Sequence, residues 1–168
     1  MTVEACYRWR VGPIPAGQRV VQVYGWLFDA TGRVLVQDLG DGKWNLPGGT
    51  PEYHDRGDLM VTLAREAMEE SQVSICSLVH LGYEECRRDG QPVALARMAG
   101  RIRTFWPSRP DSDTGRQSGR LLTSLHDAAT RLAWGVSGSL QAAAAEQVAA
   151  QRWQLPIWEP SAASAYRS

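Results

Sequence analysis

Three glutamates crowd one side of a short segment, and that crowding constrains the chain more than any other feature. The run Arg65-Glu66-Ala67-Met68-Glu69-Glu70 closes an amphipathic stretch that begins after Pro51. With about 100° of rotation per helical residue and Glu66 set at zero, Glu69 lies at roughly 300° and Glu70 at roughly 40°. The carboxylates therefore share a face. Met60, Leu63, Ala64, Ala67 and Met68 fall on the opposite side and are expected to form the core stripe.

That acid face works against the helix. Glu66 repels Glu69 and Glu70 at helical contact spacing, at a cost of roughly 0.2–0.5 kcal/mol per pair. The acids also sit near the C-terminal end, where the helix dipole disfavours negative charge. Arg65 can pair with Glu69 one turn on, which leaves at least two acids uncompensated. A bound divalent cation would remove the repulsion, and clustered carboxylate oxygens suit Mg²⁺ or Mn²⁺. A merely solvated face is the alternative for any Glu-rich helix. The Gly48-Gly49 turn just upstream argues against it, because it permits backbone conformations closed to other residues.

Together these residues resemble the Nudix hydrolases. Arg65, Glu66, Ala67, Glu69, Glu70 and Val73 match the second half of the family's motif, and Trp44-Asn45-Leu46-Pro47-Gly48-Gly49 looks like its lead-in. Two departures stand out. Arg65 follows Gly49 by 16 positions, two more than the family pattern, so either Asp55 or Asp58 takes the place of the first-half acid. Gln72 replaces the closing glycine, at a cost of about 1 kcal/mol if the position needs positive φ.

The resemblance implies an α/β fold, a Nudix-type α/β/α sandwich with a mixed sheet between helices. It implies Mg²⁺-dependent hydrolysis of the pyrophosphate linkage in a nucleoside diphosphate joined to another group. Glu66, Glu69, Glu70 and the Gly49 carbonyl would hold the metal, with Mn²⁺ a second option. Glu66 or Glu69 would act as general base, and Arg65 would orient the carboxylates. The expected partner is a small nucleotide, and dimers are common in the family. The competing reading is a non-catalytic Nudix-like module that binds a nucleotide and regulates a partner. Such modules usually lose the motif acids, and this chain keeps all three.

The rest of the chain is expected to form one domain over residues 1–168. Tyr7 and Trp9 alternate with Arg8 and Arg10 in a short edge strand, followed by a Pro/Gly loop to residue 19. Val20–Phe28 and Val34–Val36 read as a hairpin about Asp29-Ala30-Thr31-Gly32, with Tyr24, Trp26 and Phe28 on one face. Residues 75–87 and 92–104 read as paired strands. Arg97, Arg101 and Arg103 on the second could clamp a diphosphate through charge-assisted bonds, and Tyr53 in the lengthened loop could touch substrate. Asp111 and Asp113, in the irregular segment 105–120, could add a metal ligand, and Arg109, Arg116 and Arg120 could meet phosphate. Ser124-x-x-Asp127 resembles a capping box opening a helix to Leu132. A second helix, about Ser139 to Trp153, would pack Leu140, Ala144, Val148 and Trp153 on the sheet, and 159–168 reads as a mobile tail.

Eighteen basic and 18 acidic residues cancel, so the charge gives no footprint for a nucleic-acid polymer. Cys6, Cys76 and Cys86 are odd in number and lack metal-ligand spacing, as expected for reduced thiols in the cytoplasm. No apolar run approaches the roughly 20 residues needed to span a bilayer, so no membrane role is expected.

Overall fold

A computed structural model describes residues 7–110, 114–115, 118–157 and 166–167. Nine strands form one sheet: β1 (Arg8–Val11), β2 (Arg19–Phe28), β3 (Val34–Gly40), β4 (Lys43–Asn45), β5 (Gly48–Gly49), β6 (Val73–Arg88), β7 (Gln91–Phe105), β8 (Gly119–Thr123) and β9 (Tyr166–Arg167). The order is β1-β6-β7-β2-β3-β8-β9, with β4 on β3 and β5 on β2. The sheet is mixed, because β2 runs parallel to β7 while its other pairings are antiparallel.

Alternation along β2 divides the core into two layers. Val23 and Leu27 pack with Leu63 and Ala67 of helix α1 (Leu59–Ser71). Trp26 and Phe28 face the other way, onto Leu125, Ala128 and Leu132 of α2 (Leu125–Leu132) and Ala142 and Ala145 of α3 (Gly135–Gln147). Helices thus cover both faces, as expected of an α/β/α sandwich. The β6–β7 turn uses Asp89 and Gly90, both at positive φ, the signature of a tight two-residue hairpin. Ser124 caps α2 by accepting a hydrogen bond from the Asp127 amide at 3.0 Å.

The core stripe of α1 is narrower than its periodicity implies. Leu63 and Ala67 are fully buried, but Met60 and Met68 are 45% and 40% exposed, and Ala64 is exposed as well. Thr62 and Ser71 are buried in their place, because both hydroxyls find partners: Thr62 donates to Asp55, and Ser71 accepts from Gln37. On α3 the sheet-facing residues are Gly138, Gln141, Ala142 and Ala145, while Leu140 is half exposed. The helix axis lies close to the sheet, and small side chains fit that approach better than leucine. Asp111, Asp113 and Arg116 lie outside the described residues, as does 159–165 of the expected tail. Tyr166–Arg167 pairs with β8.

Gln72 does adopt the left-handed conformation, at φ 48°. Its side chain offsets the cost: Nε2 donates to the Glu69 carbonyl at 2.9 Å, and Oε1 accepts from the Arg109 amide at 3.0 Å. Arg120, expected as a phosphate contact, is buried instead. It donates to the carbonyls of Ser71, at the end of α1, and of Trp106, just after β7. Gln72→Gly should relieve about 1 kcal/mol of backbone strain while losing two hydrogen bonds of about 1 kcal/mol each. Its unfolding free energy in urea is expected to stay within about 1 kcal/mol of the parent.

Candidate active site

The two aspartates at the start of α1 divide the work. Asp58 caps the helix, accepting from the amides of Met60 and Val61. Asp55, in a 3₁₀ turn (Tyr53–Asp55), is 2% exposed and anchors Arg65. Arg65 Nη2 and Nε donate to Asp55 at 2.8 and 3.1 Å. Asp55 also accepts from Thr62 Oγ1 and the Glu52 amide. These bonds outweigh desolvation, so the carboxyl is held far below its ordinary 3.8, the Arg65 hydrogen bond being the largest cause.

Anchored in this way, Arg65 holds the acids. Its Nη1 donates to Glu66 at 2.9 Å and to Glu69 at 3.2 Å, and lies 3.6 Å from Glu52. Nη2 also reaches the Thr50 carbonyl. Burial pushes the Glu66 carboxyl above its usual range, against the pull of Arg65. Glu69 is the more open of the two, with 40% of its side chain exposed against 13% for Glu66. Glu70 turns to the other flank, where it accepts from Gln37 Nε2 at 2.8 Å and from the Gly48 amide at 3.4 Å.

The Gly48–Gly49 bend meets this face directly. A Cβ at Gly49 would fall 2.5 Å from each carboxylate oxygen of Glu66, so any larger residue there would push that carboxylate aside. Gly48 sits at φ 150° and pairs with Tyr24. Glu66 and Glu70, one turn apart, thus both touch the bend. Among the described residues no three Asp, Glu, His or Cys side chains converge on one point. The donor set still suits a hard divalent cation: carboxylate oxygens only, crowded beside a glycine cradle that a side chain would fill.

On the opposite face of the sheet from α1 lies a cavity of about 600 Å³, lined by Tyr24, Trp44, Asn45, Glu84, Arg97 and Trp134 among others. Asn45 ends β4, and Pro47 leads from it into the bend, so one short segment borders both cavity and acids. Arg97 is 4% exposed, its guanidinium 4.9 Å from the Tyr24 ring and 5.1 Å from that of Trp134. Nε donates to Gln141 Oε1 at 2.9 Å, and Nη1 to the carbonyls of Leu95 and Ala96. Burial lowers its pKa to about 10.

The three arginines of β7 do not form one clamp. Arg97 is buried, Arg101 is partly buried and Arg103 is exposed. Arg103 is passed over in the β6–β7 register, where Ile102 opposes Ile75 and Thr104 opposes Ser74, and such a bulge re-aims side chains. Tyr53 is fully exposed on the loop beside Asp55. Sequence reasoning missed Glu84, Gln141, Trp134 and Asn45 as a group. The available signal was the Glu84-Glu85 pair on the strand next to the β7 arginines.

No protein-family model matches the chain, and no curated protein does. Solved structures do. The E. coli ORF135 protein superposes with a TM-score of 0.55 at 18% identity, over 83% of this chain and 98% of that one. Tm1382, a proposed Nudix hydrolase, gives 0.53 at 22%, over 74% and 69%. The Bacillus subtilis pyrophosphohydrolase BsRppH gives 0.51 at 15%, and the match spans 67% of this chain and 66% of that one. At such identities the superpositions show the fold alone, which is the sandwich of the Nudix hydrolases.

Proposed function

We propose that this chain, folded as the Nudix hydrolases are, hydrolyses the pyrophosphate linkage of a nucleoside diphosphate joined to a second group. The observation that carries this reading is the contact of Glu66 and Glu70 with the Gly48–Gly49 bend, next to a cavity walled by aromatic rings. Gly49 follows Asn45 by four positions, a span of at most about 14 Å. A nucleoside in the cavity would extend its diphosphate along this segment toward the acids.

The cation would be Mg²⁺, or Mn²⁺, held by Glu66, Glu69, Glu70 and the Gly49 carbonyl. When bound, it lowers the pKa of a coordinated water and screens charge on the phosphates. Glu66 or Glu69 accepts the proton of the attacking water as its oxygen bonds to phosphorus and the bridging oxygen departs with the second phosphate. Arg65 fixes the orientation of both candidate bases from its anchor on Asp55. The products are a nucleoside monophosphate and a phosphorylated fragment, or pyrophosphate from a triphosphate.

No helix among the described residues is long and apolar enough to cross a membrane. A cytoplasmic enzyme of small nucleotides is the setting we infer, and a homodimer is compatible with it. The test is incubation of purified protein and Mg²⁺ with a panel of diphosphate-linked nucleotides, followed by chromatography of the products. Monophosphate release that stops on chelation of the metal is expected. Saturable nucleotide binding with no turnover on any member would assign the chain to the regulatory alternative.

A further inference from the structure

Glu84 carries a carboxylate oxygen to which none of the described residues donates a hydrogen bond. Its residue is 3% exposed and borders the cavity. Oε1 accepts from Gln141 Nε2 at 2.6 Å and from Ser137 Oγ. Oε2 is buried and has no hydrogen-bond partner among the described residues. A buried acceptor left unpaired is costly, and the residue that carries this one lines a cavity.

The surroundings narrow what could meet it. Gln141 accepts from Arg97 and donates to Glu84, which fixes its amide orientation and joins the two charges into a neutral floor. A neutral ligand fits such a floor better than an ion. Tyr24, Trp44 and Trp134 supply aromatic walls, suited to a planar group. Asn45 Oδ1 is engaged by the Leu46 amide, which leaves its N–H donors for a ligand acceptor.

We propose that Glu84 Oε2 selects the base: the cavity takes a nucleobase whose exocyclic amine donates to that oxygen, and disfavours bases lacking the amine. This deepens the hydrolase reading and rests on it for the identity of the ligand as a nucleotide. Because Oε1 takes two donors, Glu84→Gln should place the amide oxygen there and its NH₂ at the Oε2 position. The acceptor becomes a donor, and the preference should invert toward bases with a carbonyl.

The test compares matched pairs in which a carbonyl replaces the exocyclic amine, adenosine with inosine and cytidine with uridine. Binding is read by quenching of tryptophan fluorescence, without metal or turnover, and kcat/KM is then measured on the triphosphates with Mg²⁺. The parent is expected to prefer the amine-bearing member of at least one pair by about 10- to 100-fold, and Glu84→Gln to lose or reverse that preference. Equal binding within both pairs, no binding of any nucleoside, or a preference unchanged in a folded Glu84→Gln protein overturns the proposal. If that variant does not fold, the parent's pairs decide alone. Discrimination in binding without hydrolysis would instead overturn only the catalytic reading.

Discussion

Glu69→Gln and Glu70→Gln are each expected to lower Mg²⁺-dependent kcat/KM by at least about 10³-fold while leaving the melting temperature within a few degrees. Each substitution removes one negative charge from a face already short of compensation, which offsets the loss of a part-exposed pair such as Glu69 with Arg65. Glu69 is paired only with Arg65, one turn back, and Glu70 keeps acceptor capacity toward Gln37 and Gly48 as an amide oxygen. The lost function is different in kind. An amide neither binds a hard cation as a carboxylate does nor accepts a proton near neutral pH, and a positioned base alone contributes about 10²–10⁴-fold. Steady-state kinetics on the best panel substrate, with thermal melts alongside, reads both sides. Full activity in both variants would place the chemistry elsewhere.

Arg65→Ala is the variant expected to damage the fold most. It strips Asp55 of its guanidinium partner at 2% exposure, and an orphaned buried charge costs about 3–5 kcal/mol. For a chain of this size that corresponds to a melting temperature roughly 10 °C lower. The pH dependence separates this cause from lost packing. In the parent, the folded-state pKa of Asp55 is depressed below its ordinary 3.8, so the unfolded chain takes up the proton first. The stabilisation is complete above about pH 4 and is lost as pH falls through and below that value. In Arg65→Ala the largest cause of that depression is gone and burial opposes the charge, so this stabilisation shrinks. The stability deficit should be largest at pH 7 and shrink toward pH 3. A deficit that is constant with pH would point to packing alone.

Much of this site is legible in sequence because it is local. The shared face of Glu66, Glu69 and Glu70 follows from helical spacing, the bend follows from two adjacent glycines, and the Ser124 cap from a four-residue pattern. What periodicity could not reach was burial. Met60 and Met68 satisfy an apolar stripe yet stay exposed, because α1 meets the sheet along a line narrow enough for Leu63 and Ala67. Asp55 and Asp58 were interchangeable on spacing, and only the depth of the 3₁₀ turn makes one an anchor and the other a cap. The floor of the cavity was hidden for a further reason. Arg97 and Glu84 are bridged by Gln141, 44 and 57 residues away respectively. Read along its own strand, Arg97 points to a phosphate clamp, and nothing local ties it to Gln141.

The central claim is that one divalent ion is held by the carboxylates of α1 against the glycine bend. Anomalous diffraction at the manganese edge from crystals grown with Mn²⁺ tests it most directly. The account predicts a peak bounded by carboxylate oxygens of Glu66, Glu69 or Glu70 and the Gly49 carbonyl, absent in Glu70→Gln. Those side chains left in solvent, with the ion missing or bound at another place on the surface, would contradict it.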